Sequence, residues 1–95
     1  MRIEYTKRAL RLHKHIPGDV KDKIRAFAEL VKRCISADEL IKLSKAEKLS
    51  GFKGSYWRVR VGTWRLIFSV EGDTVVVEYI GPRDMVYKRI QNTLK

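Results

Sequence analysis

Three strand-like runs in the second half of the chain, separated by glycine-containing turns, constrain the fold more than any other feature. The runs are YWRVRV (56–61), WRLIFSV (64–70) and TVVVEYI (74–80), with Gly62-Thr63 and Gly72-Asp73 between them. A two-residue loop that begins with glycine suits a type II′ hairpin turn. The sequence therefore predicts three antiparallel strands that follow one another as a meander.

The register of this meander follows from the two turns, because side chains alternate between the faces of a strand. A two-residue turn at Gly62-Thr63 pairs Val61 with Trp64, Val59 with Leu66 and Trp57 with Phe68. A second turn at Gly72-Asp73 pairs Val70 with Val75, Phe68 with Val77 and Leu66 with Tyr79. All of these residues lie on one face, which we expect to be the core face.

The opposite face of the predicted sheet is basic. It places Arg60 opposite Arg65, Arg58 opposite Ile67 and Arg65 opposite Ile80, with Arg83 just beyond the last strand. Arginines that face each other repel, and the planar guanidinium group suits phosphate. We expect this face to receive an anion, and the alternatives are a solvated basic face or one covered by an acidic segment.

The first half of the chain has helical periodicity after a short strand at 2–5. Thr6 is the expected N-cap of a helix to about Ile16, and Asp19 of a second helix to Cys34. Ser36 and Glu39 have the spacing of a capping box for a short third helix. A polar loop then follows from Ser44, and Asp84 to Leu94 forms a candidate short helix. The fold class is therefore α+β, in one domain (1–95), with N-terminal helices packed on one face of an antiparallel sheet.

Composition narrows the partner and the compartment. The 21 basic and 11 acidic residues give a net charge of +10, which favours a polyanion: nucleic acid, an anionic membrane or an acidic protein. No apolar run approaches the roughly 20 residues of a transmembrane helix, and no secretory signal is evident. The single cysteine, Cys34, lies on the apolar stripe of the second helix and fits a reducing cytoplasm. We expect a cytoplasmic protein with a buried thiol and no membrane partner.

Residues 48–90, KLSGFKGSYWRVRVGTWRLIFSVEGDTVVVEYIGPRDMVYKRI, also resemble the second half of the RelE/ParE toxin superfamily. The shared marks are a KL-x-G stretch, a YW-R-V-R strand, a G-x-W/Y-R-L-I-F/Y strand, a short acidic turn, a V-V-V strand and a G-x-R-D-x-V-Y tail. The order of helices, strands and tail is similar as well. The resemblance implies the RelE-like microbial RNase fold and the RelE branch of the superfamily.

The resemblance implies a toxin of a toxin–antitoxin pair that cuts mRNA in the ribosomal decoding site. In this family the 2′-hydroxyl of the messenger attacks the adjacent phosphate, and neither metal nor cofactor is implied. The matching positions are Arg58 and Arg60 on one strand, Arg65 on the next, Arg83 after the Gly-x pair, and Tyr87.

The sequence departs from the best-known RelE pattern at Arg58 and Arg60, where that pattern has lysines. Arginine does not give up its proton in proteins, so neither residue suits a general base. We expect Arg65 and Arg83 to clamp the phosphate, and Arg58 and Arg60 to hold the backbone and assist the leaving oxygen. Tyr87 is a candidate base or stacking residue, with packing of an amphipathic tail as its alternative.

Further contacts with RNA are expected outside this set. The candidates for RNA binding are Lys45, Lys48, Lys53 and Tyr56. The helical cations Lys7, Arg8, Arg11 and Lys14 are candidates for gripping ribosomal RNA, and a plain solvated surface is the alternative. The expected partners are mRNA in the decoding site, ribosomal RNA and a cognate antitoxin.

Two other functions remain open at this point. One is inhibition of DNA gyrase, as in the ParE branch, whose members generally lack the full basic and tyrosine set. The other is a nucleic-acid-binding module without catalysis, against which the shortage of stacking aromatics on the basic face argues mildly.

Overall fold

The computed structural model describes residues 1–50 and 54–82. In chain order the elements are β1 (Arg2–Tyr5), α1 (Lys7–His13), α2 (Gly18–Arg33), α3 (Ala37–Ser44), β2 (Glu47–Lys48), β3 (Trp57–Val61), β4 (Trp64–Glu71) and β5 (Thr74–Pro82). Every helix in this part of the chain is too short or too polar to traverse a lipid bilayer.

The five strands form one sheet in the order β1-β5-β4-β3-β2. The predicted antiparallel meander of β3, β4 and β5 is confirmed, and its two turn glycines, Gly62 and Gly72, hold positive φ angles of 70° and 62°. The sheet is mixed, however, because β1 pairs in parallel with β5. A parallel pair needs a long connection, and the intervening helices supply it. The α+β class is thus confirmed, with a parallel edge strand added to the meander.

The main core lies between α2 and the predicted core face of the sheet. The apolar stripe of α2 is buried at Val20, Ile24, Phe27 and Val31, and the ring centroids of Phe27 and Phe68 are 5.5 Å apart. Each such side chain stabilises the fold by roughly 1.5–3 kcal/mol through burial. Cys34 at the end of this stripe is 2% exposed, which confirms the predicted buried thiol.

The predicted N-caps are confirmed for α1 and α3 but not for α2. The Thr6 hydroxyl accepts a hydrogen bond from the backbone N–H of Ala9 at 3.2 Å, and Ser36 caps α3 in the same way. Asp19 as N-cap was wrong, because α2 already begins at Gly18 after Pro17, which makes no side-chain cap. The fixed φ of proline suits the start of a helix, and Asp19 lies inside the first turn.

The predicted capping box of α3 forms only in part. Glu39 does reach back with its carboxylate, but it accepts from the backbone N–H of Ile35 at 3.4 Å. That residue precedes the N-cap by one position, so the Glu39 side chain reaches beyond Ser36.

The predicted register of β5 is wrong beyond Val77. Leu66 pairs with Ile80 rather than Tyr79, and Arg65 pairs with Gly81 rather than Ile80, because the register shifts by one residue between Ile67 and Phe68. The additional residue on β5 is Glu78, which forms a β-bulge. As a result Tyr79 lies on the basic face of the sheet.

Contacts from two other elements hold this bulge. The Ser69 hydroxyl on β4 donates to Oε1 of Glu78 at 3.1 Å. The Thr6 hydroxyl donates to the backbone carbonyl of Glu78 at 3.3 Å, and the Thr6 N–H donates to the Val77 carbonyl at 3.0 Å. Thr6 therefore joins the end of β1, the start of α1 and the bulge.

Candidate active site

The basic face of the sheet carries Arg58 and Arg60 on β3 and Arg65 on β4, and we call these three residues the arginine face. Arg60 pairs directly with Arg65, and Arg58 with Ile67, as the register predicted. The three side chains differ in exposure: Arg60 is exposed, Arg58 is partly covered and Arg65 is buried. The solvent-accessible end of the arginine face therefore lies on β3, toward the edge of the sheet.

The buried position of Arg65 fixes its guanidinium group. Arg65 is 8% exposed, and its Nη1 donates to the backbone carbonyl of Trp64 at 3.0 Å. A buried charge is costly unless it is hydrogen-bonded. Arg65 thus contributes a fixed positive charge on β4, next to Arg60 on β3.

A short strand, β2, brings a carboxylate to the edge of the arginine face. Glu47 pairs with Arg58 across β2 and β3, and its carboxylate forms an ion pair with the Arg58 guanidinium. In sequence this segment has the composition of a loop, and Glu47 was not among the predicted site residues. A signal did exist, because Glu47 is the only acidic residue between Leu40 and Val70.

Around this ion pair the surface forms an open depression of about 440 Å³, which we call the basic depression. Its lining residues are Ser44, Lys45, Glu47, Arg58 and Arg60. It thus combines cations that suit a phosphate with a carboxylate that can take up a proton.

Lys45 reaches the depression from an unusual backbone conformation. It ends α3 with a φ of 57° and a ψ of 37°, in the left-handed region. Glycine or asparagine normally occupies this C-terminal position, because other side chains are strained there. This conformation places a lysine in the same depression as Arg58 and Arg60. Residues with a strained backbone of this kind cluster at functional sites.

A small apolar cluster lies on the same side of the sheet as the arginines. Leu49, Ile67 and Tyr79 are its buried members, and Tyr56 and Leu12 pack against them. Leu12 belongs to α1, so this helix contributes to both sides of the sheet, since Ala9 is part of the main core. Low-dielectric surroundings strengthen the field of the neighbouring cations.

The structure brings some of the predicted site residues together and leaves others apart. Lys45, Arg58 and Arg60 share the basic depression, and Arg65 lies next to it. Tyr56 is half-buried against the apolar cluster. Lys48 pairs with Trp57, so it lies on the core-face side and not with the arginines. Lys53, Arg83 and Tyr87 lie outside the described residues, as does the predicted tail helix.

Metal-ligating side chains are dispersed in the described part of the chain. Within residues 1–50 and 54–82, no group of three or more His, Cys, Asp or Glu side chains is arranged to hold a metal ion. The arrangement that is present, three cations and one carboxylate lining the same depression, has the chemical groups needed to bind an anion and accept a proton.

Comparison with known proteins finds similar chains both in sequence and in structure. The chain is 30% identical over 87 residues to Toxin RelE3 of Methanocaldococcus jannaschii, covering 92% of this chain and 96% of that protein. A chain in the crystal structure of the RelB-RelE antitoxin-toxin complex from Methanococcus jannaschii superimposes with a TM-score of 0.69 at 25% identity, covering 90% of this chain and 95% of that one. A chain in the crystal structure of the archaeal RelE-RelB complex from Pyrococcus horikoshii OT3 superimposes with a TM-score of 0.68 at 19% identity. The match covers 86% of this chain and 93% of that one. No protein-family model matches the chain.

Proposed function

The chain belongs to the family of RelE toxins, and from this premise we propose that it is a ribosome-dependent endonuclease that cuts mRNA in the decoding site. The observation that carries the proposal is the basic depression, which is lined by Lys45, Arg58 and Arg60 together with the carboxylate of Glu47. Translation takes place in the cytoplasm, so the proposal places the protein there.

The proposed reaction is an internal transesterification of the messenger. The 2′-oxygen of one nucleotide forms a bond to the adjacent phosphorus, and the bond from that phosphorus to the 5′-oxygen of the next nucleotide breaks. The products are a 2′,3′-cyclic phosphate and a 5′-hydroxyl. The proton of the 2′-hydroxyl passes to a base, and water in the open depression protonates the departing oxygen.

Cations in the depression supply the electrostatic part of catalysis. Negative charge concentrates on the phosphate as the new bond forms, and preplaced donors that stabilise such charge are often the largest catalytic contribution. We assign this role to Arg58 and Arg60, with Arg65 behind them and Arg83 as a further predicted clamp. The reaction as written has no step that requires a metal ion.

We propose Glu47 as the general base that accepts the proton of the 2′-hydroxyl. The arginines cannot accept a proton, whereas the Glu47 carboxylate lines the same depression and is oriented by Arg58. General-base catalysis typically contributes about 10²–10⁴-fold to the rate. Tyr87 stays a prediction, as a residue that stacks on a base of the messenger or assists proton transfer.

We also propose that a cognate antitoxin covers the arginine face. The two archaeal complexes contain RelE bound to RelB, which supports an antitoxin partner for this chain. The apolar cluster on this side of the sheet offers the partly exposed Leu12 and Tyr56 at its surface. This combination suits an amphipathic segment with acidic residues.

The experiment is cleavage of mRNA on stalled ribosomes, mapped by primer extension, with purified protein and matched variants. Arg60→Ala should lower the cleavage rate about 100-fold or more, and Glu47→Gln by a factor of at least about 100. The controls are Arg33→Ala and Glu71→Gln, which remove the same groups from exposed positions elsewhere. They should keep the wild-type rate.

Two outcomes would redirect the assignment. Inhibition of gyrase supercoiling by the same preparation, without mRNA cleavage, would favour the ParE-like function. Ribosome binding without cleavage by the wild-type protein would favour a non-catalytic RNA-binding module.

A further inference from the structure

A second, smaller cavity opens at one end of the sheet. It lies where β4 begins and β5 ends, beside the C-terminal end of α1, and it has a volume of about 160 Å³. Its lining residues are Leu12, His15, Trp64, Tyr79 and residues 80–82. In the described part of the chain it shares no lining residue with the basic depression. We call it the aromatic pocket, because an indole, a phenol and an imidazole contribute to its wall.

The rings of the aromatic pocket are anchored on both sides of the sheet. Trp64 is half-buried and packs against the main core. Tyr79 is 4% exposed and belongs to the apolar cluster, against which Leu12 also packs. Rigid aromatic side chains lose little conformational entropy when a ligand binds. The pocket is therefore largely pre-formed, as is usual for sites that bind small groups.

The β-bulge at Glu78 gives the aromatic pocket its tyrosine. In an unbroken register Tyr79 would pair with Leu66 and lie on the core face, whereas it pairs with Ile67 on the face of the arginines. Bulges are common next to active sites, where they re-aim a side chain. The shift thus adds an aromatic ring to a face on which the sequence pattern predicts only Tyr56.

A row of residues across the sheet connects the basic depression with the aromatic pocket. Arg60 pairs with Arg65, and Arg65 pairs with Gly81. Arg60 lines the depression, and Gly81 lines the pocket. Neighbouring strands are about 4.8 Å apart, so the row spans about 10 Å. Stacked nucleotides advance by about 3.4 Å each along one strand, so the row is as long as about three of them.

The lining of the aromatic pocket suits a nucleobase better than the aliphatic side chain of a protein partner. Every base has flat faces that stack on aromatic rings, and sequence-specific recognition of RNA mostly targets unstacked bases of single strands. The exposed His15 imidazole can donate a hydrogen bond to the edge of a base or accept one. An aliphatic side chain would use neither the imidazole nor the arginines of the row.

We propose that the aromatic pocket binds one base of the messenger, within about three nucleotides of the phosphate in the basic depression. Trp64 and Tyr79 hold the base, and His15 contacts its edge. The inference rests on the proposed function, because it concerns the same RNA strand. A base held in the pocket fixes the strand along the row, and this aligns the 2′-oxygen with the phosphorus in the depression. The cleavage rate then depends on a base as well as on the backbone.

The first experiment measures RNA binding to the free protein through tryptophan fluorescence. The chain has two tryptophans, Trp57 and Trp64, so the Trp57→Phe variant leaves Trp64 as the single reporter. We expect short single-stranded oligo(A) RNA to quench Trp64. A matched oligonucleotide of abasic ribose phosphates should leave its fluorescence unchanged. Absence of quenching by oligo(A) would overturn the proposal, and it would assign the pocket to residues 83–95 or to an apolar side chain of a partner.

The second experiment measures cleavage on stalled ribosomes of messengers that carry one abasic nucleotide near the cleavage site. Stacking on an aromatic side chain contributes about 5- to 150-fold to affinity for each base. We expect an abasic nucleotide at one position to lower the wild-type rate by a factor in this range. Trp64→Leu should lower the rate on the intact messenger by a similar factor. The two losses should not add, because both remove the same contact.

Two further variants separate the pocket from general effects on the fold. Trp57→Leu removes an indole that lines neither cavity, so this variant should keep the full sensitivity to the abasic nucleotide. His15→Ala changes an exposed residue and leaves the core intact. It should lower cleavage of the intact messenger and leave cleavage of the abasic messenger unchanged.

The outcomes distinguish a failure of this inference from a failure of the proposed function. Additive losses from Trp64→Leu and the abasic nucleotide would overturn the assignment of the pocket and leave the cleavage reaction in place. Wild-type cleavage that tolerates an abasic nucleotide at every position near the cleavage site would do the same. Quenching of Trp64 by oligo(A), with no cleavage on ribosomes, would contradict the proposed function alone.

Discussion

Arg60 and Arg65 lie directly opposite each other on β3 and β4 although both carry a positive charge. Directly opposed like charges destabilise a sheet, by an amount comparable to the roughly 0.2–1 kcal/mol that a favourable cross-strand pair contributes. The fold therefore retains a locally unfavourable pair at the position where the basic depression begins. A phosphate bound at the proposed site would relieve this repulsion, so the pair is consistent with the proposal.

Replacement of Arg60 by glutamate should separate stability from function. Arg60→Glu turns the repulsive pair with Arg65 into an attractive one, so the free energy of unfolding should rise by up to about 1 kcal/mol. Cleavage on ribosomes should be lost, because the depression loses a cation and gains an anion. Urea unfolding and the ribosome assay measure the two effects. A variant that is both less stable and still active would contradict this view of the pair.

Thr6 should contribute more to the stability of the fold than most residues near an N-terminus do. Thr6→Ala removes the N-cap of α1 and the hydroxyl that donates to the Glu78 carbonyl, and it should cost about 1–2 kcal/mol. Thr6→Ser keeps the hydroxyl and should recover most of this loss. Chemical denaturation of the three proteins measures it. Equal stability of the alanine and serine variants would show that the hydroxyl is not the important group.

The backbone conformation of Lys45 predicts opposite effects on stability and RNA handling. Lys45→Gly relieves the left-handed strain, so it should stabilise the fold by up to about 1 kcal/mol. It also removes a cation from the depression, so binding of ribosomal complexes should weaken. Lys45→Ala is the control, since it loses the charge but keeps the strain. If the glycine variant is less stable than the alanine variant, the strain argument fails.

Cys34 should behave as an inert thiol in the folded protein. Burial raises the pKa of the Cys34 thiol, and the nearby Glu39 carboxylate raises it further. The protein should therefore resist alkylation by iodoacetamide at pH 8 and react once it is unfolded in urea. Rapid labelling of the native protein, detected by mass spectrometry, would contradict the observed burial.

The same shift predicts how stability depends on pH. Because the pKa of the thiol is higher in the folded than in the unfolded protein, the protonated thiol stabilises the fold. This stabilisation is fully present below the unfolded-state pKa of about 8.5, and it is lost as the pH rises through the folded-state pKa. The free energy of unfolding should therefore fall as the pH rises above the ordinary thiol pKa of about 8.5, and Cys34→Ala should reduce this decline. The half-buried Tyr5, whose pKa is raised by burial, contributes in the same direction.

Local signals were sufficient for the features that depend on neighbouring residues. The glycine turns determined the register between β3 and β4, and this placed Arg58, Arg60 and Arg65 on one face. Thr6 was correctly identified as a helix cap for the same reason. Where a pattern and its partner lie within a few residues of each other, the sequence was enough.

Features that depend on distant contacts were not predictable in this way. The bulge at Glu78 is held by Thr6 and Ser69, and only the first of these contacts crosses most of the chain. The parallel pairing of β1 with β5 joins segments that are far apart in sequence. Glu47 was overlooked because a two-residue strand has too little pattern to be distinguished from a loop.

If this chain cuts mRNA by attack of the messenger's own 2′-hydroxyl in the basic depression, the cleaved ends must carry the products of that attack. The direct measurement is the chemistry of the ends after cleavage on ribosomes. We expect a 2′,3′-cyclic phosphate and a 5′-hydroxyl, and no cleavage when the nucleotide before the scissile bond is 2′-deoxy. Ends with a 3′-hydroxyl and a 5′-phosphate, or undiminished cleavage of the deoxy-substituted messenger, would contradict the claim.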